Sequence, residues 1–134
     1  TKEDYVARRS FSDEICRNSY YIDIHFTPEE DRLYNEGKLD LERRSLHYGP
    51  GESHGIPYRC LTPKGLRNVL VAGRSVSTDR TVQGSTRVMP VCLAMGEAAG
   101  IAASLAARDA GSDAHAVNVD ALRSRLREEG AYLP

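Results

Sequence analysis

Tryptophan is absent from this chain, and phenylalanine occurs only twice. A core without these large rings must be built from aliphatic side chains and from tyrosine, of which there are 7. Cysteine is scarce as well. Cys16, Cys60 and Cys92 are odd in number, and none belongs to a CxxC pair. That argues against a disulfide framework or a structural zinc site, and it makes a reducing cytoplasm the expected compartment. An excess of one charge is also lacking, because 18 Lys and Arg stand against 19 Asp and Glu. The resulting net charge of −1 supplies no field for nucleic acid or an anionic membrane surface, so neither is an expected partner. The opening stretch, Thr1 to Ser10, is polar and charged, without the apolar segment of a secretory signal.

What is present fits one domain. The 134 residues are 40% hydrophobic and 28% charged, ordinary values for a soluble globular chain and too apolar for a disordered one. From Val88 to Ala107 the only charged residue is Glu97. The run is long enough to span a bilayer, but it is built mostly of Ala and Gly. An acid at a membrane's centre costs about 2.5–3.5 kcal/mol. The run therefore reads as a buried helix, and no membrane is expected.

Along the chain, Ser10 followed by Asp13 predicts a short capped helix through Arg17. Tyr20 to Phe26 alternates as a strand does, with Tyr20, Ile22, Ile24 and Phe26 on one face and Tyr21, Asp23 and His25 on the other. Thr27-Pro28, followed by Glu29, Glu30 and Asp31, predicts a helix start, and Gly37 its end. Residues 38–55 read as a surface excursion. A short strand is expected over Ile56 to Leu61, and a strand buried on both faces over Asn68 to Ala72. Ser75 to Arg87 reads as polar and irregular. A long helix then runs from Val88–Pro90 to about Ala110, and a last one starts at the Asn118 cap and ends at Gly130. The order predicts an α/β or α+β fold: short strands, one long Gly/Ala-rich helix and a C-terminal helix.

The informative block is Asn68 to Ser104. A strand ending at Gly73-Arg74, a loop with Gly84-Ser85-Thr86-Arg87 and a proline-started helix together aim backbone N–H groups at whatever lies beyond the strand. Both the free donors and the helix dipole favour an anion there. Cys92, Gly96, Gly100 and Ser104 recur every four residues as a strip of small side chains, widened by Ala99 and Ala103. Glycine inside a helix costs roughly 1 kcal/mol relative to alanine. Close approach of another backbone or of a flat ligand would account for two of them, and spacing alone does not choose. Among other candidates, Asp23 and His25 would share a strand face, where the acid could orient the imidazole. Arg59 suits a substrate carboxylate or a surface ion pair. His47 and His54 read as a solvated loop without metal-ligand spacing, Glu97 as paired with an arginine, and Arg123, Arg125 and Arg127 as the solvated side of the last helix.

Four strings, Ile56-Pro-Tyr-Arg59, Asn68-Val-Leu-Val-Ala-Gly-Arg74, Gln83-Gly-Ser-Thr-Arg-Val-Met-Pro90 and Gly96-Glu-Ala-Ala-Gly100, occur in that order. Together they resemble the C-terminal end of a family of FAD-dependent oxidoreductases distantly related to the fumarate reductase and succinate dehydrogenase flavoproteins. Tyr21-Ile-Asp-Ile-His25 and the final helix resemble it too. The resemblance implies FAD as cofactor and hydride exchange between a small-molecule substrate and flavin N5. It places Ala72, Gly73 and Arg74 near the ribityl and pyrophosphate groups. Gly84 and Ser85 would build part of the flavin pocket, and the helix starting with Arg87, Val88, Met89 and Pro90 would point its amino end at the pyrimidine edge of the ring. His25 and Arg59 fall on the substrate side, in a part spanning residues 1–67, with residues 68–134 forming the FAD-contacting part. The family's other signature, a GxGxxG between a strand and a helix, has no counterpart in the chain. The chain is accordingly expected to be a C-terminal fragment. It would need a dinucleotide-binding half as partner, bind FAD weakly or not at all by itself, and leave an apolar helix face exposed or covered by self-association. The alternative is a non-catalytic α/β module that binds a phosphate-containing ligand, or docks a partner through its small-residue helix.

Overall fold

The computed structural model describes residues 1–38 and 47–134. Its elements, in chain order, are α1 (Lys2–Val6), β1 (Glu14–Asn18), α2 (Pro28–Asn35), β2 (His54–Pro57), α3 (Arg80–Thr86), α4 (Met89–Asp109) and α5 (Val119–Glu128). Short 3-10 turns lie at Tyr58–Cys60, Gly73–Ser75 and Ala114–Ala116. The β1 and β2 strands pair antiparallel, with Asn18 opposite His54 and Cys16 opposite Ile56. This mixture of helices with a two-stranded sheet is the α/β or α+β class expected.

The sheet and α5 pack against one side of α4. Val91, Met95, Ala98, Ala102 and Ala106 are the buried residues of α4, spaced to form a single stripe. They meet Ile15, Ile56, Tyr58, Leu61, Leu122 and Leu126 in one core that draws on both ends of the chain. Each large aliphatic side chain so buried contributes about 1.5–3 kcal/mol. The other side of α4 is open: Met89 is 70% exposed and Leu93 73%. The helix expected to be buried is thus buried on one face only. By length and composition it is also long and apolar enough to cross a membrane.

Caps explain where the helices begin. Thr27 accepts from the Glu30 N–H while the Glu30 side chain bonds back, with Pro28 following. Asn118 accepts from the Ala121 N–H. Both starts agree with the sequence reading, as do the ends at Gly37 (φ +69°) and Gly130 (φ +99°).

Several expectations are corrected. The helix foreseen at Ser10 to Arg17 is replaced by β1. There the Phe11 N–H finds Glu14 Oε2 at 3.2 Å, a local turn bond that competes with a helical start. Tyr20–Phe26 forms no strand and instead runs against α3, with Ile22 buried beside Tyr5 and Val82. Asn68–Ala72 forms no strand, although the Val71 N–H reaches the Leu61 carbonyl at 2.8 Å. A strand buried on both faces needs a sheet to join and layers covering that sheet above and below, and among the described residues the only sheet is the pair β1 and β2. The second short strand runs over His54–Pro57, earlier than expected, and ends in the 3-10 turn. Within the stretch read as irregular lies α3, capped by Asp79, whose carboxylate accepts from the Val82 N–H. The excursion over residues 38–55 falls partly outside the described residues, and its last two residues belong to β2.

His54 is buried at 3% exposure, not part of a solvated loop. Burial, with the Arg17 charge adding to it, lowers its pKa from 6.5 to about 4. Its neighbours are the Tyr5 ring, 5.1 Å away between centroids, and the Tyr48 hydroxyl, 2.8 Å from Nδ1.

Two outcomes follow. A Cβ on Gly84 would stand 2.8 Å from the Asp23 carbonyl oxygen, whereas one on Gly96 or Gly100 would meet nothing within 4 Å. Gly84→Ala should destabilise by about 1–3 kcal/mol, and Gly100→Ala should stabilise by about 0.5–1 kcal/mol, as measured by urea unfolding. As pH falls, the unfolded chain protonates His54 before the folded one does. Stability should therefore be complete above pH 6.5 and decline towards pH 4. The His54 share of that loss is about 3 kcal/mol, assigned by its ring resonances titrating near pH 4.

Candidate functional site

The candidate site lies where the Gly73–Ser75 turn meets the end of α3 and the first turn of α4. Gly73 has φ +73°, in the left-handed region, and a Cβ there would meet nothing within 4 Å. The turn is tied down by its neighbours. Gln83 Nε2 donates to the Arg74 carbonyl at 2.8 Å, and Arg74 Nε donates to the Arg87 carbonyl at 2.9 Å. Arg87 Nη2 pairs with Asp23 Oδ2 at 3.0 Å and also donates to the Asp23 carbonyl at 3.2 Å. Two guanidinium groups are thereby held at the amino end of a 21-residue helix.

That helix start has no side-chain cap. Val88 is the N-cap residue, with extended backbone, and makes no capping bond; Met89 and Pro90 are exposed. Pro90 lacks an N–H, and the first intrahelical bond of the turn is Cys92 N–H to the Val88 carbonyl, 3.1 Å. The remaining first-turn donors and the helix dipole favour an anion or a developing negative charge. A cavity of about 290 Å³ adjoins this turn, lined by Arg17, Asn18, Tyr20, Val88, Pro90 and Ala94 among others.

Other predicted site residues do different work. Gly84 and Ser85 are buried within α3. Gly84 lets the Asp23 backbone pass close by. The Ser85 hydroxyl donates to the Tyr20 carbonyl at 2.6 Å and accepts from Asn18 Nδ2 at 2.8 Å. Ala72 is half-buried and is the N-cap of the Gly73–Ser75 turn. His25 is exposed in the irregular segment after β1. Arg59 lies over the Phe11 ring, 4.9 Å from its centroid, and pairs with Asp13. No hydrogen bond or ion pair joins His25 to Arg59 among the described residues. Asp23, expected to orient His25, is engaged by Arg87 instead.

Three further side chains depart from expectation. Glu97 is exposed on the open face of α4 and forms no ion pair among the described residues. Arg123 is buried and donates to the Glu14 carbonyl, so only part of the arginine cluster is solvated. His47 stacks on Tyr21 with centroids 4.6 Å apart. Among the described residues no cluster of His, Cys, Asp or Glu could hold a metal. The residues that sequence reasoning missed are Asn18 and Tyr20, which support α3 and line the cavity at α4. Asn18 had no spacing signal, because its role depends on Ser85, far along the chain.

The donor set suits part of a flavin dinucleotide: open N–H groups and arginines for its anionic portions, and a glycine turn that leaves backbone accessible. The family model described as FAD dependent oxidoreductase matches residues 1–126. No curated protein and no solved structure matches the chain.

The split between supporting and ligand-facing residues can be measured. Ser85→Ala should lower stability by about 1–3 kcal/mol, since it removes the donor to the Tyr20 carbonyl and leaves the buried Asn18 amide only the longer bond to the Ser85 carbonyl, at 3.4 Å. Arg74→Ala, at an exposed position, should change it by less than about 0.5 kcal/mol. Urea unfolding of both variants gives the comparison.

Proposed function

This chain belongs to the FAD dependent oxidoreductase family, and from that premise we propose that it forms the C-terminal wall of the FAD pocket in a flavin-dependent oxidoreductase. The cofactor of this family is FAD. Bound FAD supplies the hydride chemistry, exchanging it between a substrate carbon and flavin N5.

The chain's own residues bind and bias. One observation carries the reading: the uncapped, exposed amino end of α4 stands beside Arg74 and Arg87. Charge that accumulates on the pyrimidine edge during reduction would be met there by fixed donors, without reorganisation at the moment of reaction. Gly73 would leave the backbone open to the ribityl and pyrophosphate groups of a bound FAD. Arg74 has an arginine's preference for phosphate, through the donors not spent on the Arg87 carbonyl. Ala72, Gly84 and Ser85 serve from behind by fixing the turn and α3. His25 and Arg59 remain the candidates on the substrate side; Arg59 would leave Asp13 to take a substrate carboxylate.

The sequence carries no GxGxxG motif for the adenosine end, and a dinucleotide-binding half is the proposed source of that contact. The exposed stripe of α4 containing Met89, Leu93, Gly96 and Gly100 is the surface for that half, or for self-association in its absence. The assembled enzyme is proposed to work in the cytoplasm on a small molecule.

A flavin absorbance titration tests the reading. The 134-residue chain alone should fail to retain stoichiometric FAD. A longer chain carrying a strand–GxGxxG–helix unit should retain it, and Arg87→Ala in that chain should weaken retention about tenfold or more. Stoichiometric yellow protein from the 134 residues alone would overturn the incompleteness, and unchanged retention by Arg87→Ala would overturn the assignment of the pocket wall.

A further inference from the structure

Between the Asn68–Ala72 segment and α4 runs a groove of about 580 Å³. Asn68 and Leu70 line one side of it, and Ala99, Gly100, Ala103 and Ala107 the other. Gly100, Ala103 and Ala107 are exposed, and a Cβ added at Gly100 would meet nothing within 4 Å. No charged side chain lines this groove. A charged occupant would lose water there and gain no counter-charge, so an uncharged one is favoured.

The backbone of the segment narrows the choice further. The Val71 N–H donates to the Leu61 carbonyl at 2.8 Å. Among the described residues, the N–H groups of Val69, Leu70 and Ala72 have no hydrogen-bond partner, and neither do the carbonyls from Asn68 to Ala72. Val69 to Ala72 contains no turn or bend, and Ala72 has extended backbone, with φ −128° and ψ 171°. In a strand, successive residues bond towards opposite edges. With Val71 turned to Leu61, Leu70 and Ala72 belong to the opposite, open edge.

That edge suits one kind of occupant. Val69, 36% exposed, and Val71 are β-branched residues that favour strands. An apolar run with unpaired backbone is a template for another strand. A helix satisfies its own backbone and offers Leu70 and Ala72 neither donor nor acceptor, whereas an extended segment offers both.

We propose that an uncharged, apolar strand of the completing half pairs with the Leu70–Ala72 edge and lies over the Gly100–Ala107 side of α4. This rests on the reading that another half completes the chain, and it specifies a contact which that reading leaves open. The strand that the apolar run predicts would then form on assembly, with α4 covering one of its faces.

The test is residue-resolved amide exchange in the 134-residue chain and in a longer chain carrying the strand–GxGxxG–helix unit, with FAD retention read on the same samples. In the short chain, Val71 should exchange slowly and Leu70 and Ala72 fast. In the longer chain, Leu70 and Ala72 should slow by about a hundredfold or more. Their amides should also show cross-strand NOEs to backbone protons of the added half. Equal exchange of Leu70 and Ala72 in both chains, or slowing with NOEs only to side chains, would overturn the proposal. So would slowing in the short chain that grows with its concentration, the mark of pairing between copies. FAD retained while these amides stay fast would sink the strand and spare the flavin wall. Slowed amides without FAD would do the reverse.

Discussion

The seating of one face of α4 on β1 and α5 is the contact from which the remaining geometry follows. Met95, Ala98 and Ala102 have no exposed surface. Alanine at two of these three positions lets the sheet and α5 approach the helix closely, where a larger side chain would hold them away. Because the stripe runs from Val91 to Ala106, it fixes the direction of the whole helix. Its amino end is thereby set beside the Gly73–Ser75 turn and Arg87, and its far end beside the Ala114–Ala116 turn. The ligand-facing character of the first turn is a consequence of this packing. Nothing in the first turn itself contributes a cap.

A second constraint holds the opposite side. Tyr20–Phe26 alternates in polarity but has no strand partner among the described residues, so its backbone must be satisfied in another way. The Ser85 hydroxyl and the Arg87 guanidinium do so at the Tyr20 and Asp23 carbonyls. Asn18 completes the tie by bonding both Ser85 and the Tyr20 N–H. A polar network thus takes the place of a sheet edge. It is worth keeping only while every member is satisfied, since a half-satisfied buried network costs more than an apolar one.

Helices with local signals were legible in the sequence. Thr27-Pro28 with Glu30 and Asn118 ahead of Val119 write their start signals within a few residues, and α4 declares itself by length. The strands were not legible, because a strand is defined by its partner. Ile15 and Cys16 are in β1 since His54–Pro57 lies alongside, and no feature of residues 10–17 announces that. The same limit applies to Asn68–Ala72, whose apolar run resembles a buried strand and yet joins no sheet among the described residues. The candidate site divided along similar lines. Gly73, Arg74, Arg87 and the Val88–Pro90 start are local motifs and were readable. The burial of Ser85, the diversion of Asp23 to Arg87 and the interior place of His54 depend on long-range contacts that no local pattern encodes.

The glycines of α4 sharpen the functional argument. Within a helix, glycine is disfavoured unless something needs the missing side chain. At Gly96 and Gly100 nothing in the described chain approaches, whereas at Gly84 a backbone stands within contact distance. The first pair therefore spends helical stability without a return inside the fold, and the neighbouring Met89 and Leu93 are left exposed on the same helix. Both costs disappear if a backbone or flat surface lies along this stripe in the working protein. Such a surface would also flank the amino end of α4, where the flavin is proposed to sit. Completion of the core and completion of the cofactor pocket would then be one event, so loss of the covering surface would impair stability and flavin retention together.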